Sequence, residues 1–272
     1  MKTSGKTYSV SRTFLIVLML AAMVSLGVSS IAATTECDLT TAGTECNING
    51  AIFQQGSLPG SSGSGVIDSF VRIGANIPVI QGYNTDYRPV QFNEDTTATF
   101  NYALPLQDVP TVLVDGQFYR EFVLDINQNG CNPQDQVSCL LSLDSVMLFA
   151  SGSNLLHDFD GTNFTVAGNG PADLLYNMGD NYIKLDWELV GSGSGSSDMS
   201  LFIPETVFAA YPDCYFGSAT CATKIALYSK FGVNFGNTDG GEEWAEAGDN
   251  VLRAQLTVTK IANPQDGTDF EF

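Results

Sequence analysis

The sequence predicts an all-β protein, an antiparallel two-sheet β-sandwich with a jelly-roll-like arrangement. One observation is that apolar and polar residues alternate with a period of two, which is typical of strands buried on one face. A second is the short spacing of these segments, which are separated by clusters of Gly, Asn and Asp that favour turns. A third is that no long segment has helical periodicity, and strands do not alternate with helices as in a parallel α/β sheet.

The N-terminus has the three parts of a secretory signal peptide, which we assign to residues 1–33. Lys2, Lys6 and Arg12 form a positive leader. An apolar run at residues 14–28 follows and ends in the small residues SSIAA. The run is shorter than the stretch of about 20 apolar residues that a membrane-spanning helix needs. We therefore expect cleavage, a secreted protein that is extracellular or held at the cell surface, and no stable transmembrane segment after cleavage.

The rest of the chain divides into three predicted segments. Residues 34–65 are rich in Thr, Ser and Gly, and they predict a disulfide-bearing N-terminal loop followed by a flexible linker. Residues 66–262 carry the strand patterns and are assigned to the sandwich domain. Residues 263–272 are assigned to an acidic tail.

Five segments of the sandwich domain have the pattern of a strand: FYREFVLDI (118–126), LLSLDSVMLFA (140–150), YIKLDWELV (182–190), KIALYSKFGV (224–233) and VLRAQLTVTKI (251–261). In the second segment, alternation places four apolar residues on one face: Leu141, Leu143, Met147 and Phe149. In the third segment, the corresponding apolar face comprises Ile183, Leu185, Trp187 and Leu189.

The chain that remains after cleavage is strongly acidic. It holds 8 of the 11 Lys and Arg residues and all 30 Asp and Glu residues, which gives a formal charge of −22. Such a surface repels phosphate backbones and anionic lipid, so we expect no nucleic-acid partner. It also attracts divalent cations, although net charge by itself locates no site.

Six cysteines fall into three close pairs: Cys37 with Cys46, Cys131 with Cys139, and Cys214 with Cys221. Beyond a signal peptide, an even number of cysteines predicts disulfides. Several connectivities are open, and pairing within each close pair is the simplest. Each bridge would then staple one loop and contribute about 2–3 kcal/mol to stability.

The string DINQNG at residues 125–130 matches the opening of a calcium loop, in which alternate oxygen side chains converge on the ion. The match then ends, because the twelfth position of the loop is Gln136 instead of Glu and no helices flank it. The alternative is an ordinary Asn- and Gly-rich hairpin loop closed by a disulfide. If the string forms a non-helical metal site, calcium is the expected cofactor and four residues are its candidate ligands: Asp125, Asn127, Asn129 and Asp144.

No catalytic residue and no cofactor-binding motif is predicted, because the sequence has a single histidine and no GxSxG string. We therefore do not expect an enzyme. Two alternatives remain open. A glycan-active hydrolase needs two facing carboxylates, for which the first candidates are Glu188, Glu205, Glu242 and Glu243. A carbohydrate-binding module needs exposed aromatic rings, for which the candidates are Trp244, Tyr83 and Tyr87.

Four longer strings stand out as a set: FYREFVLDINQ (118–128), LLSLDSVMLFASGSNLL (140–156), VGSGSGSSDMSLFIPETVF (190–208) and LYSKFGVNFGNTDGGEEWA (227–245). Together they resemble uncharacterised bacterial secreted proteins that often carry an exosortase (PEP-CTERM) sorting tail. The resemblance implies an extracellular β-rich protein associated with the cell surface or matrix, and it supplies no catalytic residues. The C-terminal string NPQDGTDFEF lacks the features of that tail, so release or non-covalent surface association is expected instead of membrane sorting.

These observations predict a secreted acidic β-sandwich protein that acts as a non-enzymatic module of the cell surface or extracellular matrix. Its expected partners are surface or matrix components, with glycans among them.

Overall fold

The computed structural model describes these parts of the chain: residues 35–56, 69–131, 137–166, 172–189 and 197–247. The predicted signal peptide, the end of the linker, the predicted strand at 251–261 and the acidic tail lie outside the described residues. No helix in the described ranges is long and apolar enough to cross a membrane.

Regular structure in the described ranges consists of β-strands and two short 3-10 helices. In chain order the strands are β1 (Glu36–Asp38), β2 (Glu45–Ile48), β3 (Ala51–Gln55), β4 (Ser69–Ile73), β5 (Ile80–Tyr83), β6 (Leu104–Pro105), β7 (Thr111–Val114), β8 (Gln117–Asp125), β9 (Leu140–Ser151), β10 (Leu156–His157), β11 (Thr165–Val166), β12 (Asp173–Asn177), β13 (Tyr182–Asp186), β14 (Met199–Pro204), β15 (Lys224–Phe231) and β16 (Glu242–Glu246). The 3-10 helices are η1 (Leu106–Asp108) and η2 (Glu205–Phe208).

Two seven-stranded sheets pack face to face. Sheet I has the order β1-β13-β9-β15-β5, with β12 pairing β9 and β6 pairing β15. Sheet II has the order β2-β3-β14-β8-β16-β4, with β7 pairing β8. Strands β10 and β11 form a separate two-stranded ribbon. Pairing is antiparallel except for the parallel pair β1–β13, so the predicted all-β two-sheet sandwich is confirmed.

The N-terminal segment belongs to the sandwich. The sequence predicts a stapled loop at the start of residues 34–65, whereas the structure forms β1, β2 and β3 there. Strand β1 pairs with β13 of sheet I, and β3 pairs with β14 of sheet II. Burial of Ile48, Ala51 and Phe53 explains the difference, because these apolar side chains fill the core between the sheets.

The core between the sheets is built from alternating side chains of both. Trp244 of β16 in sheet II is fully buried, and its Nε1–H donates a 3.1 Å hydrogen bond to Ser229 Oγ of β15 in sheet I. Ser229 is fully buried as well. The indole therefore joins the two layers through both packing and a satisfied polar contact.

Strand β9 carries a β-bulge at Asp144 that changes which of its side chains face the core. The register between β9 and β15 slips by one residue at this point. One extra residue reverses the alternation beyond it. Leu141 and Leu143 face the core between the sheets, whereas Met147 and Phe149 belong to a second apolar cluster on the other face of sheet I. The prediction that all four share one face is therefore wrong beyond the bulge.

Strand β13 is shorter than the predicted strand at 182–190. Its backbone turns after Asp186, whose carbonyl accepts the N–H of Leu189 at 3.3 Å. Ile183 and Leu185 are buried as predicted, and Trp187 packs half-buried against the same core from beyond the strand end.

All three disulfides join the close pairs, so local pairing is confirmed: Cys37–Cys46, Cys131–Cys139 and Cys214–Cys221. The described residues contain no free cysteine. Each bridge spans seven to nine residues of sequence. The bridges therefore constrain local segments, and Cys37–Cys46 also links β1 of sheet I to β2 of sheet II.

Candidate functional site

Three acidic residues meet at one end of sheet II because three neighbouring strands have an end there. Asp125 is the last residue of β8. Asp198 immediately precedes β14, whose first residue pairs with Leu124. Glu242 opens β16, and the next residue of that strand pairs with Asp125. We call Asp125, Asp198 and Glu242 the acidic cluster. All three are buried, with 7%, 4% and 0% of their surface exposed.

Asp125 and Asp198 form a carboxyl pair on adjacent strands. The pKa of Asp198 is raised well above its ordinary value, chiefly by burial, with the charge of Asp125 and a hydrogen bond to it adding to the rise. The backbone N–H of Ile126 donates to Asp198 Oδ2 at 2.8 Å and partly opposes the rise. Two buried carboxyls this close favour a shared proton or a bound cation over two free negative charges.

Glu242 occupies the core side of the same strand ends. Its oxygens accept hydrogen bonds from the backbone N–H of Asn127 at 2.8 Å and from Gln128 Nε2 at 2.9 Å. Burial raises the pKa of Glu242 well above its ordinary value, and the charges of Asp198 and Asp125 add to the effect. The protonated form of Glu242 is therefore favoured by folding.

Gln128 ties the loop that follows β8 to the loop that precedes β16. Its Nε2 also donates to Asn237 Oδ1 at 3.0 Å, and its Oε1 accepts the backbone N–H of Thr238 at 2.8 Å. Gly240, with φ of 47°, lies so close to Asn127 that an added Cβ would stand 2.2 Å from Asn127 Nδ2. The acidic cluster is thus enclosed by two loops that contact each other closely.

The predicted calcium ligands are only partly brought together. Asp144 lies at the bulge of β9 in sheet I, whereas Asp125 ends β8 in sheet II, and the neighbours of β8 are β7, β14 and β16. Its Oδ2 accepts the backbone N–H of Val233 at 2.7 Å, so it fixes a different loop. Asn129 donates from Nδ2 to the carbonyl of Thr238 at 2.7 Å. The carboxylates that accompany Asp125 are Asp198 and Glu242, which sequence spacing gave no means to identify.

One group of three potential metal-binding side chains lies within 4.8 Å among the described residues, and it consists of Cys131, Cys139 and Glu188. Its two sulfurs are joined in a disulfide, so they are not thiolates and cannot act as ordinary ligands. Glu188 Oε1 accepts the backbone N–H of Cys131 at 2.8 Å. The disulfide and this hydrogen bond therefore explain why the three side chains lie close together.

Two of the three residues predicted to contact glycans are buried. Trp244 lies in the core because the strand alternation of β16 turns it toward sheet I. Tyr83 is 1% exposed and packs edge-on against Phe164 at 4.7 Å between ring centroids. The expectation of exposed rings at these two positions is therefore wrong. Tyr87 is half-buried, with its ring stacked on His157 at 4.3 Å.

The four glutamates considered for a hydrolase each serve a structural contact. Glu205 pairs with Arg120, and Glu243 pairs with Arg72 at 2.5 Å. Glu242 and Glu188 accept the backbone hydrogen bonds described above.

A groove of about 450 Å³ lies at the turn between β7 and β8, and sequence patterns did not indicate it. Its walls include Phe118 and Tyr215, whose surfaces are 59% and 63% exposed. Tyr211, the buried Phe208 and Glu205 are also part of its lining. We call this the aromatic groove. It combines the start of β8 with η2 and with the disulfide loop that follows η2, both of which lie far from β8 in sequence.

Arg120, which belongs to β8, ties the other elements around the aromatic groove to that strand. Its side chain is 1% exposed, and its Nε and Nη2 donate to the two oxygens of Glu205 at 2.7 and 3.0 Å. Nη2 also donates to the carbonyl of Cys214 at 2.7 Å, and Nη1 donates to the carbonyl of Val109 at 2.7 Å. One buried guanidinium thus fixes η2, the disulfide loop and the segment before β7.

The fold and these sites define a disulfide-bearing all-β sandwich protein. No protein-family model, curated protein or solved structure matches the chain.

Proposed function

We propose that the mature chain is an extracellular, non-enzymatic module of the cell surface or matrix, of the kind that the exosortase-associated resemblance implies. The observation that carries the proposal is the presence of three disulfides in a two-sheet sandwich. Disulfides of this kind persist in oxidising compartments outside the cell. The structural use of Glu188, Glu205, Glu242 and Glu243 supports a non-enzymatic role.

Surface labelling of intact cells tests this function. Antibodies raised against the folded mature protein are applied to cells of the source organism before and after permeabilisation. We expect equal labelling in both states, together with signal in the extracted matrix, because the protein resides outside the membrane. Signal that requires permeabilisation would refute the proposal.

Calcium binding at the acidic cluster forms the second part of the proposal. Asp125 and Asp198 supply hard oxygen ligands, which calcium prefers, and a cation would relieve the repulsion between the two carboxyls. Because Asp144 lies in the other sheet, it has no part in this site. The role of the ion would be to stabilise the closed loops after β8 and before β16.

Stability is expected to depend on pH and calcium together. The folded-state pKa values of Asp198 and Glu242 are raised. The stability that these two carboxyl groups contribute is therefore fully present below the unfolded pKa near 4, and it is lost as pH rises through the folded-state pKa values. In chelator, the Asp198→Asn variant should therefore gain stability relative to wild type between about pH 5 and about pH 8. Saturating calcium at about pH 8 should raise the wild-type melting temperature by about 5–10 °C and leave the variant unchanged.

Thermal melts with calcium chloride or with chelator measure both effects. Glu45→Gln, at an exposed position of β2, is the matched control and should retain the calcium response of wild type. Identical wild-type melts in calcium and in chelator would refute the calcium site. A constant difference between Asp198→Asn and wild type across the pH range would refute the raised pKa.

A further inference from the structure

The aromatic groove exposes apolar rings whose surfaces are not used for packing the core. Phe118 and Tyr215 each leave more than half of their surface in water. Exposed aromatic surface concentrated at a concave site is typical of a binding surface. The groove volume of about 450 Å³ also lies in the range of ligand sites, roughly 300–1,000 Å³.

The charges of the groove limit the chemistry of its occupant. Of the described residues that line it, Glu205 is the only charged one, and Arg120 pairs with both of its oxygens. An anionic ligand would find no free cation in this lining and would face a chain of formal charge −22 after cleavage. A cationic ligand would have to compete with Arg120 for Glu205. An uncharged ligand fits this balance best.

The shape and polarity of the lining further narrow the chemical class of the ligand. Aromatic faces carry negative charge density and pack against C–H groups, which one face of a sugar ring presents. At the rim, the exposed side chains of Gln117 and Thr206 offer an amide and a hydroxyl suited to sugar hydroxyls. A ligand with alternating C–H faces and hydroxyl edges satisfies both parts of the groove.

The walls are held in place before a ligand arrives. The disulfide Cys214–Cys221 closes the loop that carries Tyr215, and the N–H of Gly217 donates to the carbonyl of Gln107 at 2.8 Å. Tyr211 donates its hydroxyl to Asp173 Oδ2 at 2.7 Å. Walls fixed in this way reduce the entropy lost on binding.

We propose that the aromatic groove binds an uncharged polysaccharide, with sugar rings stacked on Phe118 and Tyr215. The inference rests on the proposed surface or matrix function and names the partner class. The disulfide-intact mature protein retains the groove residues, so binding is measured on the whole secreted chain.

Affinity gel electrophoresis with soluble polysaccharides tests the groove. The panel contains uncharged glucan, mannan, galactan and xylan, with alginate and hyaluronan as anionic members. We expect retardation by at least one uncharged polymer, and weakening of about tenfold or more in the double variant Phe118→Ala/Tyr215→Ala. Val137→Ala, at an apolar position that is also 59% exposed but outside the groove lining, should bind like wild type. Unchanged melting temperatures show that the variants are folded.

Three results would overturn the groove assignment: retention of binding by the folded double variant, binding to anionic polymers alone, or retardation by none of the uncharged polymers. None of them bears on the surface labelling of intact cells, which tests the proposed function separately. Labelling confined to permeabilised cells would refute that function even if the groove bound a polysaccharide.

Discussion

Replacing Arg120 with Met is expected to lower the free energy of unfolding by about 3–5 kcal/mol. Met fills a similar volume but donates no hydrogen bond. The carbonyls of Leu106, Val109 and Cys214 would each lose a donor in a buried setting, and Glu205 would lose its partner. The loss should also loosen the aromatic groove, whose elements share this one guanidinium.

Urea unfolding at neutral pH measures the loss, and Arg72→Met is the matched control. Arg72 also pairs with a glutamate, Glu243, but its side chain is 33% exposed. A pair this exposed contributes about 0–1 kcal/mol. Arg120→Lys should remain strongly destabilised, since an ammonium cannot reproduce the fork of donors. If Arg120→Met and Arg72→Met lower the free energy of unfolding by the same amount, Arg120 does not organise the elements around the aromatic groove.

Truncation of Trp244 to Ala is expected to cost about 3–5 kcal/mol, because it removes a fully buried indole from the core between the sheets. Trp244→Phe should cost about 1–3 kcal/mol, mainly through the hydroxyl of Ser229, which loses its partner in a buried site. Chemical unfolding of the two variants gives both values.

Tyr87→Ala is a useful comparison for the truncation, since Tyr87 is the predicted glycan contact that remains half-exposed. Its loss should cost less than the loss of Trp244. A cost below about 1 kcal/mol for Trp244→Ala would place the indole at the surface and contradict the packing of the two sheets.

Local sequence features predicted the parts of the fold that depend on neighbours in the chain. The aromatic and β-branched residues of FYREFVLDI predicted β8, and the strand pattern of KIALYSKFGV predicted β15. The short spacing of the cysteines predicted the disulfide pairing. The bulge at Asp144 was missed because one extra residue in β9 is defined only against its partner β15.

Features that depend on distant pairing could not be predicted. In the string EEWAE, two acidic residues precede Trp244, yet the strand alternation turns both Glu242 and Trp244 inward. Asp198 joins Asp125 only because β14 pairs with β8 in one particular register. The aromatic groove likewise requires Phe118 and Tyr215 to meet from separate parts of the chain.

The two sheets enclose a core that buries Trp244, and the fluorescence of this residue tests that burial directly. The chain contains two tryptophans, so Trp187→Phe leaves Trp244 as the only indole emitter. We predict blue-shifted emission and little quenching by acrylamide in the folded variant, with both properties changing on unfolding in urea. Red-shifted emission that acrylamide quenches readily in the folded state would contradict the structure and restore Trp244 as a surface residue.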